Sequence, residues 1–130
     1  MKSAPVNILV VEDAPHVRKR LIALLGTVDG AKVVGESEAV RDAVRSALDG
    51  PVDVVLLDLQ LTDGNGLDVL AAVKPQRPQI RFIVLSNLAT PQHRAAAMAA
   101  GADVFLDKSH EFGRVPGILR GWSAAADAVR

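Results

Sequence analysis

The chain has 130 residues, enough for one domain to bury a core without disulfides or a structural metal. Its 15 Lys and Arg residues balance its 15 Asp and Glu residues with no basic block, so composition gives no electrostatic reason to expect direct contact with nucleic acid or an anionic membrane. Cysteine is absent, which excludes disulfides, thiolate catalysis and cysteine-held zinc. No apolar run nears the roughly 20 residues of a membrane span, and the start Met1-Lys2-Ser3-Ala4-Pro5 lacks the apolar region of a signal peptide, so the cytoplasm is the expected compartment.

In chain order, Val6 to Val11 reads as a strand, followed by Pro15 and a helical stripe of Val17, Leu21, Leu24, Leu25 and Val28. Lys32 to Val34 is a second, shorter strand. Ser37 is then placed to cap a helix whose stripe pairs Ala39, Ala43 and Ala47 with Val40, Val44 and Leu48, ending at Asp49-Gly50-Pro51. Val52 to Leu57 is the third strand, and a short helix from about Gly66 to Lys74 stops before Pro75 and Pro78. Ile80 to Leu85 is the fourth strand; Thr90 and Pro91 open an Ala-rich helix that Gly101 terminates. Asp103 to Leu106 is the fifth strand, and the segment after Ser109, interrupted by Gly113, Pro116 and Gly117, predicts a broken start and a regular helix only from about Pro116.

Aromatic residues make up only 3% of the chain, so the core must be Val, Leu, Ile and Ala. The long strands are nearly continuous Val, Ile and Leu without alternation, the pattern of parallel strands covered on both faces. Five strand-then-helix repeats with right-handed crossovers predict one α/β domain over residues 1–130, a doubly wound five-stranded parallel sheet.

In such sheets ligands bind beyond the carboxyl ends of the strands. Those ends carry Glu12 and Asp13, Asp58, Ser86 and Asn87, and Asp107 and Lys108. If the first and third strands are neighbours, Glu12, Asp13 and Asp58 converge, and like charges about 4 Å apart repel by roughly 4 kcal/mol at an effective dielectric of 20. A hard divalent cation such as Mg²⁺ would offset this, or one carboxyl would protonate, and Lys108 adds a further positive charge. An ionised Asp, a cation, an ammonium and a small hydroxyl are the parts that phosphoryl transfer uses. Singly these residues are ordinary: Glu12 and Asp13 could cap the first helix, Asp58 could be a turn residue, Ser86 and Lys108 solvated groups, and Phe105 core. Their joint placement at four strand ends outweighs that. His16, His93 and His110 lack partners at metal spacing and read as surface residues.

An acidic pair, an Asp, a Ser and a Lys at these strand ends resemble the functional positions of response-regulator receiver domains, over essentially the whole chain, including the loop Asp58 to Gly66 and the Gly101-Ala102-Asp103 entry to the fifth strand. The resemblance implies a flavodoxin-like (βα)5 fold of strand order 2-1-3-4-5. It implies that Asp58 accepts a phosphoryl group from a sensor histidine kinase or histidine phosphotransfer protein, the chain catalysing only its own phosphorylation and dephosphorylation. Asp13, Asp58 and the Gln60 carbonyl would hold Mg²⁺, with Glu12 acting through water. Ser86 and Lys108 would contact the phosphoryl oxygens, and Phe105 would follow Ser86 inward. That movement would change the face of the fourth helix, fifth strand and fifth helix for a downstream protein target or a second copy.

Three positions depart from the family. Thr62 and Ser109 stand where Pro is usual, and a non-proline cis bond costs about 2.5 to 4 kcal/mol, so a trans Lys108-Ser109 peptide and a shifted loop are expected. Asn87 replaces a smaller residue and would narrow the approach to Asp58. The chain reads as a stand-alone receiver; rival readings are a phosphorylation-independent pseudo-receiver, a receiver excised from a longer transcriptional regulator, and a haloacid-dehalogenase-like phosphatase. The last is disfavoured because the candidate nucleophile follows the third strand and Gln60 takes the second Asp position. Nucleotide or flavin binding lacks a Gly-rich phosphate loop.

Overall fold

The computed structural model describes residues 5–129; residues 1–4, which carry most of the chain start considered above, lie outside the described residues. Its elements are β1 (Val6–Val11), α1 (Pro15–Leu25), β2 (Ala31–Ser37), α2 (Val40–Asp49), β3 (Val54–Asp58), β4 (Gln60–Leu61), β5 (Gly64–Asn65), α3 (Leu67–Val73), β6 (Arg81–Ser86), α4 (Pro91–Ala99), β7 (Val104–Asp107), a 3-10 turn (Phe112–Arg114) and α5 (Val115–Val129). Five strands form a parallel sheet in the order β2-β1-β3-β6-β7. This is the expected 2-1-3-4-5 order once the small antiparallel pair β4-β5 inside the loop after β3 is left out. Strand order reverses beside β1, which puts the crevice between the ends of β1 and β3.

Alternate strand residues face opposite layers. Leu9, Val11, Val55 and Leu57 pack with Ala43 of α2 and Leu70 of α3. On the other face Ile8, Val10 and Leu56 pack with Leu21 of α1 and Val115 and Leu119 of α5. Burial on both faces explains why β3 is apolar until its last residue, Asp58.

Two expectations need correction. The second strand extends to Ser37, because as an edge strand it tolerates the polar Gly35-Glu36-Ser37 stretch, and its pairing with β1 shifts register between Ile8 and Leu9. Ser37 therefore does not cap α2. Its backbone carbonyl accepts from Glu12 N, and the helix starts at Val40. The cap is instead the carboxylate of Asp63, which accepts from Val40 N at 2.6 Å and Arg41 N at 3.4 Å. The hydrogen bond from Val40 holds the Asp63 carboxyl below its ordinary value of 3.8. A depressed carboxylate contributes stability above its unfolded pKa that is lost as pH falls through the folded value. Asp63→Ala is thus expected to lower the melting temperature at neutral pH, with the difference from the parent shrinking below pH 3.8, as thermal melts across pH would read.

The other boundaries fall within three residues of those expected, the third strand starting at Val54 instead of Val52 and the first helix ending at Leu25 short of Val28. Thr90 Oγ1 accepts from His93 N with Pro91 at the first position of α4, Gly101 sits at φ +113°, and the 3-10 turn is the broken start before α5. Among the described residues every peptide is trans, Lys108-Ser109 included.

Candidate functional site: an acidic cavity at the carboxyl edge of the sheet

Glu12 follows β1 directly, Asp58 ends β3, and Lys108 follows β7, so three strand ends aim charged side chains into one space. A cavity of about 510 Å³ is lined there by Glu12, Asp13, Asp58, Gln60, Asn87 and Lys108, among others. Glu12 is 1% exposed and Asp58 6%. Carboxylate oxygens of Glu12, Asp13 and Asp58 lie within 4.8 Å of one another. The repulsion expected from sequence is therefore real, and part of its offset is visible. Lys108 Nζ is 2.5 Å from Glu12 Oε1 and 3.1 Å from Asp58 Oδ2.

Backbone donors fix the carboxylates further, Gln60 N donating to Asp58 Oδ1 at 3.1 Å and Ala14 N to Glu12 Oε2 at 3.1 Å. Burial opposes the charge on Lys108, but its hydrogen bond to Glu12 and the charges of Asp58 and Glu12 outweigh that, so its pKa stands above the ordinary 10.5. A raised amine contributes stability in full below the unfolded value, lost only as pH climbs through the higher folded one. The ammonium is present throughout the neutral range.

One ammonium against three carboxylates leaves the cluster negative, and its donors are all hard oxygens in a cavity open enough for retained water. That chemistry fits Mg²⁺. Glu12, Asp13 and Asp58 are the described residues that could hold such an ion, Gln60 lines the same cavity, and an ion there would supply charge neutralisation.

Ser86 is brought close but not into this cavity. It is wholly buried, its Oγ accepts from Leu88 N at 3.0 Å and donates to Leu88 O at 3.3 Å, and it lines a neighbouring cavity of about 320 Å³ with Gln60 and His93. The residue after it, Asn87, faces the acidic cavity and accepts from Ser109 Oγ at 3.3 Å. Two of the departures noted in the sequence thus meet across the cavity mouth. The third, Thr62, uses the N–H that proline would lack to donate to Glu38 O at 3.4 Å.

Phe105 is already inward, 4% exposed, under Arg94 of α4. The guanidinium lies 4.8 Å from the ring centroid and donates to Phe105 O at 3.0 Å. His16 and His110 are exposed and His93 half-buried. The sequence reading missed Asp63, Arg94 and Arg18, which donates to Glu12 O at 2.7 Å. Their polar side chains are invisible to an apolar-stripe count; Asp63-Gly64 signals only a turn within the loop, not a cap on a helix 23 residues earlier.

A doubly wound sheet with a buried aspartate, an acidic cluster and a lysine at its carboxyl edge is the arrangement expected of a receiver domain. A family model described as the response regulator receiver domain matches residues 8–120, and the chain belongs to that family of two-component signalling modules. The chain is 31% identical over 103 residues to the DNA-binding transcriptional activator DevR/DosR of Mycobacterium tuberculosis, covering 79% of this chain and 48% of that protein. It is 28% identical to the response regulator protein VraR of Staphylococcus epidermidis, covering 80% and 50%. The chain thus spans about half the length of these curated relatives. Among solved structures, the receiver domain of a putative response regulator NarL from M. tuberculosis superposes with a TM-score of 0.85 at 24% identity, over 94% of this chain and 98% of that one. The response regulator domain of Thermotoga maritima CheB does so with 0.80 at 26% identity, over 94% and 96%. Among the described residues no helix is long and apolar enough to cross a membrane.

Proposed function

We propose that the chain receives a phosphoryl group on Asp58 from a phosphohistidine of a sensor kinase or phosphotransfer protein, and passes the signal to a protein target through the face of α4, β7 and α5. The observation that carries this is Lys108 Nζ held between Asp58 Oδ2 and Glu12 Oε1. It places a cation between the two buried strand-end carboxylates of the cavity, Glu12 and Asp58, and Asp58 stands at the position where the family carries its acceptor. In the transfer, an Asp58 oxygen attacks phosphorus, the phosphorus-nitrogen bond of the donor breaks, and its electron pair leaves with the imidazole, which takes up a proton. Lys108 is positioned to pair with the phosphoryl oxygens, and Gln60 N orients the nucleophile by its bond to Asp58 Oδ1. The chain acts as an enzyme only on itself. Relatives that bind DNA extend well beyond the length matched here, and the described residues carry no role in that binding on this reading.

A second reading, a phosphorylation-independent interaction module, draws on Ser86 being turned to Leu88 and Phe105 being already buried. One assay separates the two. Incubation with acetyl phosphate or phosphoramidate is expected to add one phosphoryl group by intact mass, only with Mg²⁺ present and not with a chelator in excess. No gain from any small donor or from a phosphorylated histidine phosphotransfer protein would sink the phosphoacceptor reading and leave the second.

A further inference from the structure

Glu12 is engaged through its backbone and its carboxylate alike. Its N–H donates to Ser37 O at 2.9 Å, its carboxylate meets Lys108 and Ala14 N, and its carbonyl accepts from Arg18 Nη1 at 2.7 Å. The last of these comes from a side chain on α1 that reaches back across the start of its own helix. In the same pose Arg18 Nε is 3.0 Å from Glu36 Oε1 and Nη2 is 3.0 Å from Glu38 Oε1, with the side chain only 15% exposed. All three guanidinium nitrogens are thus occupied at once, a fork that a lysine ammonium does not reproduce.

We propose that Arg18 is a positioning residue for the cation site, fixing the peptide from which Asp13 departs while Glu36 and Glu38 neutralise its charge. The inference rests on the reading of Glu12, Asp13 and Asp58 as a Mg²⁺ site. The carbonyl that Arg18 holds belongs to the peptide joining Glu12 to Asp13, and a peptide is planar. Fixing that oxygen together with Glu12 N sets the whole plane, leaving one backbone rotation before the Asp13 side chain. Without Arg18 the plane is free to tip, and Asp13 loses its preset direction into the cavity.

An unpaired arginine this close would oppose a dication. The two glutamates leave the trio with a net negative charge, which lets a cation serve as a clamp beside a cation site. Groups that orient metal ligands from behind commonly change metal affinity by about 10- to 100-fold.

The sign of the effect distinguishes this role from charge alone. Removing a nearby positive charge by electrostatics would tighten Mg²⁺, whereas removing a clamp weakens it. Calorimetric titration of the whole chain with MgCl₂ is expected to show Arg18→Ala weaker by about 10-fold and Arg18→Lys intermediate, with circular dichroism confirming folded variants. Affinity unchanged or tighter in Arg18→Ala overturns the clamp. Should that variant not fold, Arg18→Lys decides, its affinity at or above that of the parent overturning the proposal. If the unsubstituted chain takes up no Mg²⁺, the cation-site reading fails and takes the clamp with it; if the parent binds and the variants bind as well, the clamp alone fails.

Discussion

Asp58→Asn is expected to abolish phosphoryl uptake and, in the presence of a chelator, to raise the melting temperature. Loss of labelling follows from removing the nucleophile, since an amide oxygen cannot form the acyl phosphate. The stability gain follows from the cluster. Like charges within 4.8 Å repel by about 3 to 4 kcal/mol per pair at an effective dielectric of 20. The substitution relieves two such repulsions, with Glu12 and Asp13, and loses one attraction, to Lys108 at 3.1 Å. Asparagine keeps one acceptor, its oxygen taking the bond from Gln60 N that Oδ1 took, while its NH₂ replaces Oδ2 and leaves Lys108 paired with Glu12 Oε1. The balance favours the variant by on the order of 1 kcal/mol, or a few degrees for a domain of this size. Differential scanning calorimetry with a chelator reads this, and intact mass reads the labelling. A variant that still takes up phosphoryl places the acceptor elsewhere, and one that melts lower shows that the Lys108 contact outweighs the repulsions.

The same cluster shows what was legible beforehand. Val54 to Leu57 announces a strand buried on both faces, so its polar end, Asp58, stands out against the apolar run; the same holds for Glu12 after the buried run Ile8 to Val11 of β1. Periodicity and strand-end chemistry carried the fold and the carboxylates for that reason. Three-dimensional pairing carried the rest. Ser37 looked like a cap because cap preference is a property of residue type, yet the edge strand needed its backbone and Asp63, 23 residues away from Val40, supplied the carboxylate. Ser86, expected to contact the phosphoryl oxygens, has its hydroxyl bonded to Leu88 of its own loop in this structure, a local pairing that residue type alone does not announce. Phe105, the expected switch residue, is buried in this structure, and nothing in an Ala-rich helix signals that Arg94 stacks on it. Long-range polar contacts of this kind follow from which strands are neighbours, which local sequence does not encode.

Gly66→Ala is expected to damage folding and phosphoryl transfer together, although glycine at this position has an ordinary helical φ of -57°. The cause is space, not conformation. A Cβ at Gly66 would overlap Asp58 O, stand 3.0 Å from Leu59 Cα and 3.2 Å from Asp58 C. All three are backbone atoms of the turn after β3, and no flexible side chain can give way. Gly66 N also donates to Leu59 O at 2.8 Å, so the clash cannot be relieved by sliding the start of α3 without breaking that bond. Overpacking of this kind costs about 1 to 3 kcal/mol, and a purely backbone clash belongs at the upper end. Because two of the three displaced atoms belong to Asp58 itself, its side chain is expected to move with them, and a shift near 1 Å costs about 100-fold in rate. Denaturant unfolding and the initial rate of acetyl phosphate labelling are the two readouts. Gly117→Ala is the control, since a Cβ there meets nothing within 4 Å in α5, and a helical alanine should stabilise by about 0.5 to 1 kcal/mol with labelling unchanged. A Gly66→Ala chain that is destabilised yet labels at the parent rate would show that the turn can yield without carrying Asp58, and that the tight packing at Gly66 serves the fold alone.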